Sequence, residues 1–133
     1  MQTTLNTNIN LKISLIISVL VVIPAGFIYG LNPELLLDIS FNAIDEKNFS
    51  KGVMGLYLAF ASLWCFGLFN PKFFHAALIS NALFMLGLGF GRILSLLFDG
   101  MPSVAFSIGL FGELVLGFYS AWVLNSKHIH KTS

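Results

Sequence analysis

Residues 73–98 read FFHAALISNALFMLGLGFGRILSLLF, an apolar run interrupted only by His75, Asn81 and Arg92, the one arginine of the chain. A bilayer core of about 30 Å is crossed by on the order of 20 apolar residues in a helix, so this run is long enough to span. It shows no period-2 alternation, which removes a barrel strand, and backbone groups in lipid must then be satisfied within a helix.

Working outward, three further runs meet the same criterion: about Ile13 to Leu31, Gly52 to Phe69, and Ser103 to Leu124, the last carrying Glu113 near its middle. The expectation is one all-α domain over residues 1–133, an integral membrane four-helix antiparallel bundle with helices at about 13–31, 52–69, 73–98 and 103–124. Residues 1–10 and 126–133 read as polar tails, the first a disordered lead-in. Composition agrees: 56% of the 133 residues are hydrophobic and 10% charged, against roughly 25% charged in soluble domains. A net charge of +1 leaves no basic surface for nucleic acid. The first run follows Lys12 as a signal peptide would, but it continues through Pro24, Phe27 and Tyr29 with no small-x-small cleavage site, so it reads as a retained helix. Pro24 removes a backbone donor and should loosen it locally.

The connections differ in length. Asn70, Pro71 and Lys72 make a tight hairpin, and Asp99-Gly100-Met101-Pro102 reads as a stop and restart. Asn32 to Lys51 is the one long loop. There Leu37, Phe41 and Ile44 recur at helical spacing, which suits a short interfacial helix between helices 1 and 2 and suits a solvated loop equally. Lys12, Lys72, Lys127 and Lys131 gather at one end of the bundle with His128 and His130, and Glu34, Asp38, Asp45, Glu46 and Asp99 at the other, against Lys47 and Lys51. By the positive-inside rule both termini are expected to be cytoplasmic, in a multi-pass protein of the cytoplasmic (inner) membrane.

Charges inside a membrane span are costly and commonly mark function. Arg92 shares a side of helix 3 with Asn81, Ser95 and, at the rim, Asp99. On helix 4, Gly109, Glu113 and Gly117 are spaced by four and followed by Ser120, a stripe of small residues that suits packing and turns Glu113 inward. The stripe Gly52, Gly55, Ala59 and Ser62 on helix 2 reads as a similar packing face, and the pair Gly87 and Gly91 on helix 3 as a packing seam rather than a dimer contact; a homo- or hetero-oligomer remains open. From helical rise, Arg92 lies about 9 Å and Glu113 about 15 Å below the same rim, within reach of each other. Arg92, Glu113, Ser95, Asp99 and Asn81 therefore form the candidate polar network.

No catalytic set can be assembled: Ser95 lacks a histidine at its depth. His75, His128 and His130 lack the company a metal site needs, and Cys65 reads as a small packed thiol. Tyr29, Tyr57, Trp64, Tyr119 and Trp122 read as interfacial or packing rings. The GLGFG run at Gly87 to Gly91 lies mid-helix, which excludes a nucleotide loop. No cofactor is implied.

The segments NFSKGVMGLYLAF, GFGRILSLLFDGMPS and GELVLGFYSAW, between Asn48 and Trp122, resemble the small bacterial four-helix membrane proteins grouped as domain of unknown function family 4345. The resemblance rests chiefly on Gly91-Arg92, Ser95, Asp99-Gly100, Pro102-Ser103, Glu113 and Gly117. One departure is Ser50-Lys51, where the family pattern has an arginine before the glycine. The resemblance implies four helices and makes Arg92, Ser95, Asp99 and Glu113 the residues to test, without a function. Three functional readings stand. The first is a non-enzymatic protein whose outward-facing polar cleft binds membrane lipid or another amphipathic small molecule. The second is a structural or accessory subunit of a membrane complex. The third, less favoured, is a proton-linked transporter or small membrane enzyme.

Overall fold

The computed structural model describes the backbone of residues 2–131, and the side chains of residue 9 and residues 12–126. Four long helices follow one another: α1 (Gln2–Leu31), α2 (Ile44–Phe69), α3 (Pro71–Phe98) and α4 (Val104–Lys131). Each holds a stretch long and apolar enough to cross a membrane, Lys12–Leu31 within α1 and Val104–Ser126 within α4. The architecture is an all-α, up-and-down membrane bundle. Helices adjacent in sequence pack together, α1 also meets α4 and α3, and the α2 and α4 backbones stay apart among the described residues.

Three boundaries depart from the sequence reading. The polar lead-in is helical from Gln2 onward, because extending an existing helix fixes one residue per hydrogen bond gained and escapes the nucleation cost. The second tail continues α4 to Lys131 for the same reason. Met1, Thr132 and Ser133, and the side chains of His128 and His130, lie outside the described residues.

The third departure is the long loop, where the interfacial helix does not form. Only a 3-10 turn at Pro33–Leu35 follows α1, and α2 begins at Ile44, well before Gly52. The cause is local: the Glu46 carboxylate accepts from the Asn42 and Ala43 N–H groups at 2.9 and 3.0 Å, and Asp45 joins it in the first turn, where negative charge suits the helix dipole. Leu37, Phe41 and Ile44 therefore never share a helical face. Leu37 turns into the bundle at 8% exposure while Ile44 stays 84% exposed.

The hairpin end of α2 and α3 is closed. A single residue, Asn70, joins them and accepts from the Lys72 N–H at 3.0 Å, with Pro71 at the first helical position, where its missing donor is not needed. Gly67 lies directly against the Ala77 methyl group, with no room for a Cβ of its own. Above it the indole of Trp64 donates to Ser80 Oγ at 3.1 Å, and Trp64, Phe84, Tyr57 and Tyr29 stack edge-to-face in sequence with centroids 5.1–5.3 Å apart.

Between α3 and α4 the antiparallel register is regular: Arg92 meets Glu113, Gly89 meets Leu114, Leu86 meets Gly117 and Asn81 meets Ser120. The helix 4 stripe faces inward as its spacing suggests. The helix 2 stripe does not: Gly52, Gly55, Ala59 and Ser62 are exposed, and a Cβ at Gly52 or Gly55 would meet nothing within 4 Å. Gly87 and Gly91 are equally open, and Gly89 makes the close contact instead. In lipid the outside of a bundle is as apolar as its inside, so small residues mark no direction by themselves.

Candidate functional site

Arg92 stands six residues before the end of α3, about 9 Å below the end of the bundle that carries the long loop. Its Nε lies 2.8 Å from Glu113 Oε2, with the two side chains 18% and 13% exposed. Both atoms are enclosed yet form no hydrogen bond, so the contact is an ion pair whose Nε–H is not aimed at the oxygen. The guanidinium donates from Nη2 to the Tyr29 hydroxyl at 3.1 Å, and its Cζ lies 4.9 Å from the Phe106 ring centroid, a cation–π distance.

Each neighbour is placed by a local cause. Tyr29 sits near the end of α1, where its carbonyl accepts a hydrogen bond from Ser50 Oγ of α2 and its ring abuts Tyr57. Gly26 and Gly30 flank it, and a Cβ at either would collide with Tyr57 or Met54, so α1 can approach α2 only through glycine here. Gly109 passes beside the guanidinium, where an added Cβ would stand 4.0 Å from Cζ. Arg92 thus joins α1, α3 and α4 through one side chain.

Two cavities adjoin it. One, of about 370 Å³, opens between α2, α3 and the loop, with Phe41, Phe49, Ser50, Gly87 and Gly91 among its walls. The other, of about 460 Å³, lies between α1, α3 and α4, lined by Leu20, Pro24, Ile28, Gly112 and Glu113 among others. Pro24 withholds the N–H that would bond the Leu20 carbonyl, so the α1 backbone along this wall is locally short of a hydrogen bond. Tyr29, Leu37, Leu88, Arg92 and Phe106 belong to both linings. They form a partition in which Arg92 is the single charged side chain.

The other candidate residues sit apart from this centre. Ser95 lines the first cavity, but its hydroxyl donates to Asp99 Oδ2 at 2.8 Å, an exposed contact at the rim. Asn81 is on the same side of α3 but about 16 Å further along the helix, in a different cluster. There Ser120 Oγ donates to Asn81 Oδ1 at 2.9 Å. With that proton committed, Ser14 is the donor across the 2.6 Å contact between Ser14 Oγ and Ser120 Oγ. All three residues are fully buried, and they line neither of the two cavities beside Arg92.

Tyr29, Phe106 and Leu37 are the site residues that sequence reasoning missed. A signal existed for Tyr29, whose phenol lies two residues from the end of its helix, close to Arg92 in depth. Nothing in the spacing of Phe106 separates it from lipid-facing hydrophobes, and the spacing of Leu37 with Phe41 and Ile44 points to an interfacial helix instead. Among the described residues, no three His, Cys, Asp or Glu side chains converge as a metal site would require.

No curated protein and no solved structure matches this sequence. A family model does: the one described as "Domain of unknown function (DUF4345)" matches residues 10–124. That is most of the chain, and it includes α2 and α3, most of α1 and α4, and the whole Arg92 centre, so the protein belongs to the DUF4345 family of domains of unknown function.

Proposed function

We propose that this membrane protein binds an amphipathic molecule in the cleft around Arg92, with a phosphate or carboxylate head on the guanidinium and apolar parts in the adjoining cavities, and that it does so without catalysing a reaction. The observation that carries this reading is the shared partition: one cation set between two mainly apolar cavities, with its ion-pair partner Glu113 on the wall of the second. A guanidinium has five N–H donors, more than the Glu113 carboxylate and the Tyr29 phenol take up. Its Nη edge retains the fork geometry suited to phosphate or carboxylate. Glu113 holds the Nε side and fixes the orientation of that fork. The cavity volumes fall within the range of about 300–1,000 Å³ usual for small-molecule sites.

The lysines at the terminal end and the acidic loop at the other support an orientation with both termini cytoplasmic and the cleft on the outer side of the cytoplasmic membrane. The competing reading is structural, as a subunit whose ion pair only fixes helix register. Its support is that Arg92 and its partners join three helices.

The test is lipid extraction and mass spectrometry on protein purified in mild detergent, comparing wild type with Arg92→Ala. Removing Arg92 leaves Glu113, which can be neutralised by a proton, so the variant is expected to fold and to lose its co-purifying amphipath. An unchanged content of bound amphipath in a folded variant would refute the reading.

A further inference from the structure

Resting on that reading of the cleft, we propose that the ligand is a two-chain anionic lipid, one chain in each cavity and the head group at the Arg92 partition. The two cavities lie on different sides of α3, one towards α2 and one towards α1 and α4, and both end at the same guanidinium. A one-chain amphipath with its head on Arg92 can fill only one of them. A molecule that branches at its head, as a glycerol-based lipid does, fills both from one anchoring point. The walls agree with this use. Apart from Arg92, Glu113, Tyr29 and two serines, both cavities are lined by apolar residues, and the buried Leu37 of the loop belongs to both linings.

Each cavity also has a wall glycine with open space where its Cβ would stand: Gly87 in the first, Gly112 in the second. A Cβ at either place meets no neighbour within 4 Å, so a larger side chain has open space in which to grow and reduce its cavity. Leucine is also a better helix former than glycine, so these variants separate occlusion from misfolding. Gly55 is an exposed glycine that lines neither cavity and supplies the control.

The experiment measures binding of tritiated dioleoyl phosphatidic acid, and of its one-chain lyso form, to immobilised full-length protein in detergent by scintillation proximity. Gly87→Leu and Gly112→Leu are each expected to weaken the two-chain probe about tenfold, and to change the one-chain probe by no more than about twofold, since one free cavity still serves it. Gly55→Leu should match wild type for both probes. If either glycine variant binds the two-chain probe as wild type does, the two-chain assignment is overturned, while the cleft reading survives provided Arg92→Ala still abolishes binding. If Arg92→Ala leaves both probes bound as in wild type, the cleft reading fails and takes this inference with it.

Discussion

The two halves of the bundle contrast in how they treat polar groups. In the half next to the α2–α3 hairpin, Ser14, Asn81 and Ser120 are neutral, linked by hydrogen bonds through Ser120, fully buried and outside both cavities beside Arg92, and Gly67 is pressed on Ala77. In the half next to the long loop, Arg92 and Glu113 are charged, incompletely hydrogen-bonded and flanked by two cavities. The same helices α1, α3 and α4 build both clusters. Both clusters leave a buried donor without a partner, Asn81 Nδ2 in one and Arg92 Nε in the other; only the charged one stands beside empty volume that a ligand could enter.

That contrast is most exposed to replacement of Glu113. Unlike a carboxyl group, the Arg92 guanidinium cannot shed its charge, so Glu113→Ala should destabilise the fold by about 3 kcal/mol, the scale for stranding one partner of a buried pair. The double variant Arg92→Met with Glu113→Met should recover most of that loss, measured by denaturant titration in mixed micelles. A double variant as unstable as Glu113→Ala would mean that the pair serves the fold, and would erase the distinction between the halves.

The closed end offers a second trial. Gly67→Leu must displace Ala77 and should cost about 2 kcal/mol, as overpacking does, whereas Gly87→Leu at the open end should be neutral or slightly stabilising by helix propensity. Thermal unfolding of the two variants side by side would show the asymmetry, and equal melting temperatures would contradict it.

Asn81→Ala is the mildest of these changes. Interhelical hydrogen bonds in membranes average about 0.6 kcal/mol in double-mutant cycles, so a loss of about 1 kcal/mol is expected, with bound amphipath unchanged. A fall in amphipath content would join the two clusters into one site and sharpen the map of the cleft.

What could be read from the sequence follows the same division. Length and hydropathy locate four spans, because the bilayer sets a minimum length that few soluble helices share. The Gly109, Glu113, Gly117 and Ser120 spacing turns Glu113 inward, and helical rise brings it level with Arg92; the 2.8 Å contact agrees with both. The direction of the α2 stripe was not legible, since Gly52 and Gly55 face out with nothing in the sequence to oppose it. Nor was the separation of Asn81 from Arg92: a shared helix side says nothing of which partner on α4 each will find, and Ser120 is as near to Asn81 as Glu113 is to Arg92. Of the site's non-charged members, Phe106 lies on a helix the sequence does locate, but which way its ring faces depends on tertiary packing. A loop residue such as Leu37 becomes interior only once α1, α3 and α4 have made a place for it.

An experimental density map of the protein in a lipid nanodisc, inspected beside Arg92, puts the proposal to its plainest test. The expected result is a density that touches the guanidinium and extends into the cavities on both sides of the partition formed by Tyr29, Leu37, Leu88 and Phe106. A map in which Arg92 touches only Glu113, Tyr29 and water, with both cavities collapsed or empty, would contradict a binding role for this centre.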